Sequence, residues 1–489
     1  MLVIGSAQAV NIVISILRMK LLALLLGPSG IGLLSIYNNL QAMVANAAGL
    51  GMGSSGVRQI ATVRGEGKEL SRVRRVLLVA HAVQGTLAML GVWLLRVPIA
   101  EWLLGDATHA TEIGLIGVAI LLALLATAQT VLLQGMRRIG DLGRITVLGA
   151  LMATVAGLLA VWVLGQEGLI WFVLMQPLAT IVVALRYTSR LPKPTAEGLG
   201  ASEIWAVWKP MASLGLAFML GGLATTATLL LVRSRITQEL GLDAAGQFAA
   251  AWGVTMTYVG FLLGAMAADY FPRLTEVIDD RAAAARLMND QAQLGLAIGG
   301  PVLLLLIGLA PWVITLLYSS DFMPAVELLQ WQTVGNVFKV ASWALSFSIV
   351  AAARSKTYFL MEMSFNFVFL TLVWMLLPAL GLKVTAIAFF AGYVVYFLTV
   401  NILVHRLLGF RWKVLSLGLL ALHGSLAVAL LVLARIAPFT AAFVSPLLAL
   451  ATGVFGLRVV LTKIGPNGRL TRPLAHIYAT FGWPIRSSV

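Results

Sequence analysis

A chain of 489 residues that is 60% hydrophobic and 11% charged cannot be a soluble globule, in which about a quarter of residues are charged. Its mean hydropathy of +0.95 points the same way. The net charge of +15 is no sign of nucleic acid, because Lys and Arg gather on the cytoplasmic loops of membrane proteins. With no cysteine, disulfides, thiolate zinc sites and cysteine nucleophiles are excluded.

The start MLVIGSAQAV lacks a basic n-region, and the first apolar stretch is long enough to remain as a span, so no cleavable signal peptide is expected. Runs of about 20 apolar residues are too long for barrel strands and predict helices. Fourteen are predicted, at 3–26, 31–57, 76–96, 113–135, 145–164, 169–185, 211–232, 246–269, 292–317, 328–352, 359–379, 385–404, 414–434 and 441–462. The fold class is therefore all-α and polytopic. Alternate loops differ sharply in charge. One set, with the tail, holds 25 of the 34 Lys and Arg, and the opposite set with its span ends holds five. This asymmetry places both termini in the cytoplasm.

A weak internal repeat has an offset of 214 residues. Leu26-Gly27-Pro28-Ser29-Gly30-Ile31-Gly32 aligns without a gap on Leu240-Gly241-Leu242-Asp243-Ala244-Ala245-Gly246. Six spans separate the copies, which gives them the same orientation. The organisation expected is an N-terminal lobe at 1–185, a cytoplasmic linker at 186–210 with Pro192, Pro194 and Pro210, a C-terminal lobe at 211–404, an added helix pair within 405–462, and a cytoplasmic tail at 463–489. Parallel lobes with a substrate cavity between them are a transporter arrangement. The stretch Glu203-Ile204-Trp205-Ala206-Val207-Trp208-Lys209 has the amphipathic, aromatic character of an interfacial helix.

Three stretches resemble a known family. The run from Arg18 to Leu33, RMKLLALLLGPSGIGL, is similar to the opening of bacterial oligosaccharide flippases, the O-antigen and exopolysaccharide translocases often called Wzx. Gly49 to Ala61, GLGMGSSGVRQIA, resembles the end of their second span, and Asp269-Tyr270-Phe271-Pro272-Arg273-Leu274 the matching exit in their second lobe. The family lies in the multidrug/oligosaccharidyl-lipid/polysaccharide exporter superfamily. The resemblance implies two six-helix lobes about a central cavity in the bacterial inner membrane. It also implies an undecaprenyl-diphosphate-linked oligosaccharide as substrate, carried from the cytoplasmic to the periplasmic leaflet by alternating access. Membrane lipid, a polysaccharide polymerase and assembly proteins are the partners it implies, and no cofactor is expected. A lipid II flippase and a multidrug extruder of the same superfamily are the alternatives.

The residues that could carry this chemistry are polar groups inside spans. Arg18 and Lys20 lie in the first span, where a central cation costs about 2.5–3.5 kcal/mol on insertion scales and usually faces water or protein. Two residues apart, they point about 200° apart on a helix and cannot face one way. A guanidinium suits a phosphate as a planar fork, an ammonium as a point charge. Tyr37, Asn38 and Gln41 offer stacking and hydrogen bonds for sugars, or interhelical bonds. Gln332, Asn336 and Lys339 recur at spacings of four and three on one helical face, with the same two readings. Arg233 and Arg235 end span seven near the repeat position of Arg18, as a second anion site or as a snorkelling pair. Glu362 and Asp269 are the candidates for coupling to a proton or sodium ion, although Arg354 or Lys356 could instead pair with Glu362. His81 and His423 are lone histidines in apolar helices and read as packing residues. No GxxxxGK[ST] loop is present and the loops are too short for an ATPase domain, so an enzyme is not expected.

The charge asymmetry is open to a direct test. A reporter fused at residue 68 should read cytoplasmic, and a periplasmic signal there would reverse the whole orientation.

Overall fold

The computed structural model describes residues 2–64, 67–191, 200–465, 471–480, 483 and 485. Pro192 and Pro194 of the expected linker, and 466–470, 481–482, 484 and 486–489 of the expected tail, lie outside the described residues. Among the described residues all regular structure is helical. Eleven stretches are long and apolar enough to cross a membrane. Three of these, Val10–Ala48, Ile139–Thr188 and Gly222–Ala267, each contain two helices, which makes fourteen crossings. The chain is a multi-pass membrane protein. Its outward side chains are large and apolar, among them Trp162, Phe367, Met375 and Phe439. In water such a surface would drive aggregation, whereas in lipid it matches the solvent.

The chain divides into two compact units, Met1–Ala249 with Leu316–Asp321, and Ala250–Thr315 with Phe322–Val489. The first unit begins with α1 (Leu2–Ala48), which breaks at Gly27 (φ 63°, ψ −166°) and resumes at Pro28. Only glycine takes that backbone conformation cheaply, and proline suits the first position of the resumed helix because its missing N–H would have no partner there. After α2 (Met52–Thr62) come α3 (Gly67–Leu94), the short α4 (Arg96–Leu104), α5 (Ala110–Gly135), α6 (Ile139–Leu164) and α7 (Gly168–Thr188). The unit closes with α8 (Ala201–Val277) up to residue 249. The stretch Glu203–Lys209 is continuous with this long helix. Trp205 stacks on Trp208 at 4.8 Å, and Ile204, Val207 and Trp208 cover a core of Met52, Val76, Leu77 and Leu132.

Two backbone-to-backbone contacts organise this unit. Gly32 lies so close to Leu242 and Gly246 that a Cβ would strike main-chain atoms, and a Cβ on Gly246 would strike Pro28. These two glycines are 214 residues apart, the offset of the sequence repeat. Past the far end of the same α1 segment, Gly51 (φ 64°) and Gly215 are apposed with equal closeness. Beside them the Ser55 hydroxyl donates to the Met211 carbonyl at 2.8 Å.

The second unit holds the rest of α8, then α9 (Arg281–Gly308), α10 (Ala310–Leu317, its last two residues in the first unit), α11 (Ala325–Ala351), α12 (Ser355–Leu380), α13 (Lys383–Leu408), α14 (Val414–Ile436), α15 (Pro438–Ile464) and α16 (Thr471–Thr480). Asp280 caps α9, its carboxylate accepting from the N–H groups of Ala282 and Ala283, and these bonds hold its carboxyl below the usual range. The added pair α14 and α15 is fastened to α9. Asn289 bonds the backbone of Arg411 and Lys413 and the Ser416 hydroxyl, Gln293 donates to Ser416, and Lys463 pairs with Asp290 at 2.5 Å. Gly308 meets Ser445, and Gly456 meets Ala297, closely enough to exclude any side chain.

The backbone itself repeats. Gly241 (φ 84°, ψ 172°) breaks α8 as Gly27 breaks α1. Arg137 (φ 55°) corresponds to Ala353 (φ 54°), and Gly165 (φ 60°, ψ −133°) to Gly381 (φ 61°, ψ −156°). The last two pairs are 216 residues apart, so the second copy carries two extra residues before them.

Gly51→Val and Gly246→Val should each lower thermal stability in detergent by about 1–3 kcal/mol, the usual cost of overpacking, with Gly51 the worse for its positive φ. Gly91→Ala, where a Cβ meets nothing within 4 Å, should be neutral or stabilising.

Candidate functional site

Each unit carries a polar cluster on helices that are otherwise apolar. In the first unit, Arg18 is half-buried midway along the first segment of α1. One guanidinium nitrogen donates to the Ser15 hydroxyl at 3.5 Å, and the group lies 5.8 Å from the centre of the Phe172 ring. Its Nε is buried without a hydrogen-bond partner. Lys20 turns elsewhere, as the helical spacing requires, and its Nζ donates to the Tyr318 carbonyl at 2.5 Å. Arg233 donates to the Ser35 carbonyl at 2.9 Å, and its Nε too lacks a partner. Among the described residues no carboxylate forms an ion pair with Arg18 or Arg233. Arg235 differs, pairing with Glu239 one turn on at 2.7 Å.

The span after Gly27 does not present Tyr37, Asn38 and Gln41 as one surface. Tyr37 is buried with its hydroxyl unpartnered, Asn38 is exposed, and Gln41 donates to the Ala119 carbonyl at 3.4 Å. The neighbouring Asn39, which the spacing did not single out, is buried with its amide nitrogen unpartnered.

In the second unit Gln332, Asn336 and Lys339 do share a face of α11, and that face meets α8. Thr255 donates to Gln332 Oε1 at 2.8 Å, and Lys339 Nζ lies 3.4 Å from the Met256 sulfur. Asn336 is fully buried, with both amide atoms unpartnered. Lys339 also sits 5.0 Å from the centre of the Tyr393 ring. Glu362 of α12 accepts from the Tyr396 hydroxyl at 2.8 Å and lies within electrostatic reach of Lys339. The two charges, read from separate spans as a binding group and a coupling group, thus stand in one cluster with Tyr393 and Tyr396 of α13. Those tyrosines were visible in the sequence as a pair three residues apart in an apolar run. Neither Arg354 nor Lys356 forms an ion pair with Glu362 among the described residues. Asp269 is exposed and pairs with Arg273 at 3.0 Å, at the end of its helix.

Both lone histidines are tied to a carbonyl one turn back, His81 to Leu77 at 2.8 Å and His423 to Leu419 at 2.9 Å. A carbonyl oxygen only accepts, so Nδ1 carries the hydrogen and Nε2 is a bare acceptor. The His423 ring is filled in against Gly300.

Fourteen membrane-crossing helices, with backbone breaks that recur along the chain and cations inside the spans, define a transporter-like membrane fold. The chain matches the family described as "Polysaccharide biosynthesis protein" over residues 21–327, and it belongs to that family. It is similar to the lipid III flippases of Escherichia coli (strain K12) and Shigella flexneri, each 24% identical over 403 residues, covering 80% of this chain and 94% of the relative. Its fold is similar to that of the lipid II flippase MurJ in an inward closed conformation (TM-score 0.70, 12% identity, 94% of this chain and 99% of that one). It is also similar to an inward-facing multidrug resistance MATE family transporter of the MOP superfamily (TM-score 0.68, 15% identity, 81% and 95%).

The Lys339–Glu362 cluster should behave as one electrostatic unit. In a double-mutant cycle of Lys339→Met and Glu362→Gln, each single change should destabilise the protein more than additivity with the double change allows. The coupling should be about 0.5–3 kcal/mol by thermal unfolding, and a coupling of zero would separate the two groups.

Proposed function

We propose that this protein flips a lipid-linked oligosaccharide across the bacterial inner membrane by alternating access. The substrate would be a polyprenyl-diphosphate-linked repeat unit of an O-antigen or exopolysaccharide. The physical problem is the head group. The polyprenyl tail stays in lipid, but a diphosphate and a string of sugars must cross the hydrocarbon. Fixed cations reduce the cost for the diphosphate, since charge-assisted hydrogen bonds are strong where water is sparse.

The observation that carries this reading is Arg18, a guanidinium held in mid-span without a carboxylate on it and with a donor left over. Arg233 also has an Nε without a partner, though its guanidinium is held by the Ser35 carbonyl. An arginine in a membrane helix normally pairs with an acid or with backbone carbonyls, and among the described residues Arg18 is bonded to neither. Family membership and similarity to proteins named lipid III flippases support the same class of cargo. A lipid II flippase would use the same diphosphate chemistry. The multidrug alternative is disfavoured, because it calls for an acidic group open to a cationic drug, and the buried acid Glu362 is engaged by Tyr396 and balanced by Lys339.

In this reading the lobes 1–185 and 211–404 rock about the cargo, with the termini and the linker 186–210 on the cytoplasmic side. Glu362 is the coupling group we favour over the exposed Asp269. The contacts Gly32–Gly246 and Gly51–Gly215, at opposite ends of one helical segment, would part in turn.

Arg18→Ala should weaken engagement of the cargo roughly ten- to hundredfold, the loss of one hydrogen bond to a charged group. Arg18→Lys should restore it in part, keeping the charge without the fork. The measurement is rescue of surface glycan in a strain lacking this gene, with membrane levels of each variant followed in parallel. Normal flipping by a stably inserted Arg18→Ala protein would overturn the diphosphate assignment.

A further inference from the structure

The first unit contains a cavity of about 250 Å³, lined on its polar side by Asn46, Ser54, His81 and Thr127 over the glycine-rich turn at 49–53. Leu124 and Met219 supply an apolar wall. His81 is the unusual member. Its ring is fully buried, its Nδ1 hydrogen is spent on the Leu77 carbonyl, and its Nε2 lone pair has no donor among the described residues. One turn on, and on the same face of α3, Gln84 gives its amide N–H to the Met52 sulfur at 3.5 Å and leaves its carbonyl oxygen unpartnered. Thr127 spends its hydrogen on the Ala123 carbonyl and so can accept another. At the cavity wall itself, His81 Nε2 and the Thr127 hydroxyl are therefore both able to accept.

Charge narrows the occupant. Among the described residues no Lys, Arg, Asp or Glu lines the cavity, and the sequence beside Met219, Ala217-Phe218-Met219-Leu220-Gly221, carries none either. A phosphate or a free cation would find no counter-charge here. A sugar ring fits on both counts. Its hydroxyls are donors, its C–H face suits an apolar wall, and about 250 Å³ is room enough for one ring. The glycine turn keeps the floor free of side chains.

We propose that this cavity is a subsite for one neutral sugar ring of the carried glycan, with His81 Nε2 accepting a sugar hydroxyl and Asn46 and Ser54 bonding its neighbours. The proposal rests on the flippase reading above and adds a place where the glycan is recognised apart from its diphosphate.

The absence of cysteine from these 489 residues makes the test simple, because Ser54→Cys then carries the only thiol of the chain. The probe is the repeat-unit oligosaccharide released by mild acid from the lipid-linked pool of the host strain. It should slow maleimide labelling of Ser54→Cys severalfold and saturably, while inorganic pyrophosphate should not. Labelling of a control thiol, Ser189→Cys, should be unaffected. His81→Leu in the Ser54→Cys protein should abolish the protection. His81→Gln, which keeps an acceptor oxygen and guards against a folding defect in the leucine variant, should retain part of it. No protection at saturating oligosaccharide, or protection by pyrophosphate instead, overturns the subsite. Deleting the gene in the same host separates the two ideas. Surface glycan lost without protection at Ser54→Cys sinks the subsite alone, whereas surface glycan that persists sinks the flippase reading itself.

Discussion

Hydrocarbon gives a backbone no hydrogen-bond partners, so a chain that lives there must satisfy its own N–H and C=O groups at every residue. That demand makes the regular structure of the described residues entirely helical. It also decides where the chain can turn. Many of the breaks fall at glycines with positive φ, among them Gly27, Gly51, Gly165, Gly241 and Gly381, although Leu50, Arg137 and Ala353 adopt positive φ too. Glycine has a second use in the same medium. Lipid tails are as apolar as leucine, so helices gain little by hiding leucines from them, and close backbone approach becomes the main source of packing energy. Gly32 against Gly246, Gly51 against Gly215 and Gly456 against Ala297 are contacts of this kind.

Charge is handled differently in the two units. In the second, Lys339 lies over the Tyr393 ring and within electrostatic reach of Glu362, which accepts from the Tyr396 hydroxyl. Nothing further is needed to explain why these charges are tolerated. In the first, Arg18 and Arg233 are met by a hydroxyl, an aromatic face and a backbone carbonyl, none of which cancels a positive charge. Among the described residues, Arg18 and Arg233 thus stand in their helices without a carboxylate ion pair, and in the proposed function that unspent charge is assigned to a diphosphate.

Much of the fold was legible in the sequence, because spans are set by length and hydropathy, both local properties. The break at Gly27-Pro28 could be read directly, and its counterpart at Gly241 followed from a gapless alignment with few identities. Side-chain partnerships were less legible. Gln332, Asn336 and Lys339 share a face because three and four residues nearly complete a turn, but nothing in that spacing says that α8 covers the face. Tyr37 and Asn38 are adjacent and so about 100° apart, which is enough to bury one and expose the other. The meeting of Lys339 with Glu362 joins two helices through a third, and no local pattern encodes it. Asp269 sits at a span end, where a few residues of uncertainty in the boundary separate a buried acid from a solvated one.

The glycine contacts also bear on how such a protein could move. A large interdigitated leucine interface resists separation, because every side chain must leave its hole and the lipid must refill it. Two helices that touch through bare backbone at one glycine pair have little to disengage. Gly32 and Gly246 occupy equivalent places in the repeat, so the contact joins each copy to the other at the same point. Gly51 and Gly215 form the corresponding contact past the opposite end of the same helical segment, next to the cavity that His81 lines. In the proposed cycle, opening either end requires breaking one small contact while the other acts as the pivot. Bulk added at one pair would then bias the protein toward the state open at that end, and bulk at the other pair toward the opposite state. The same substitutions that lower stability would thus act in opposite senses on access, which separates a gate from a merely crowded helix crossing.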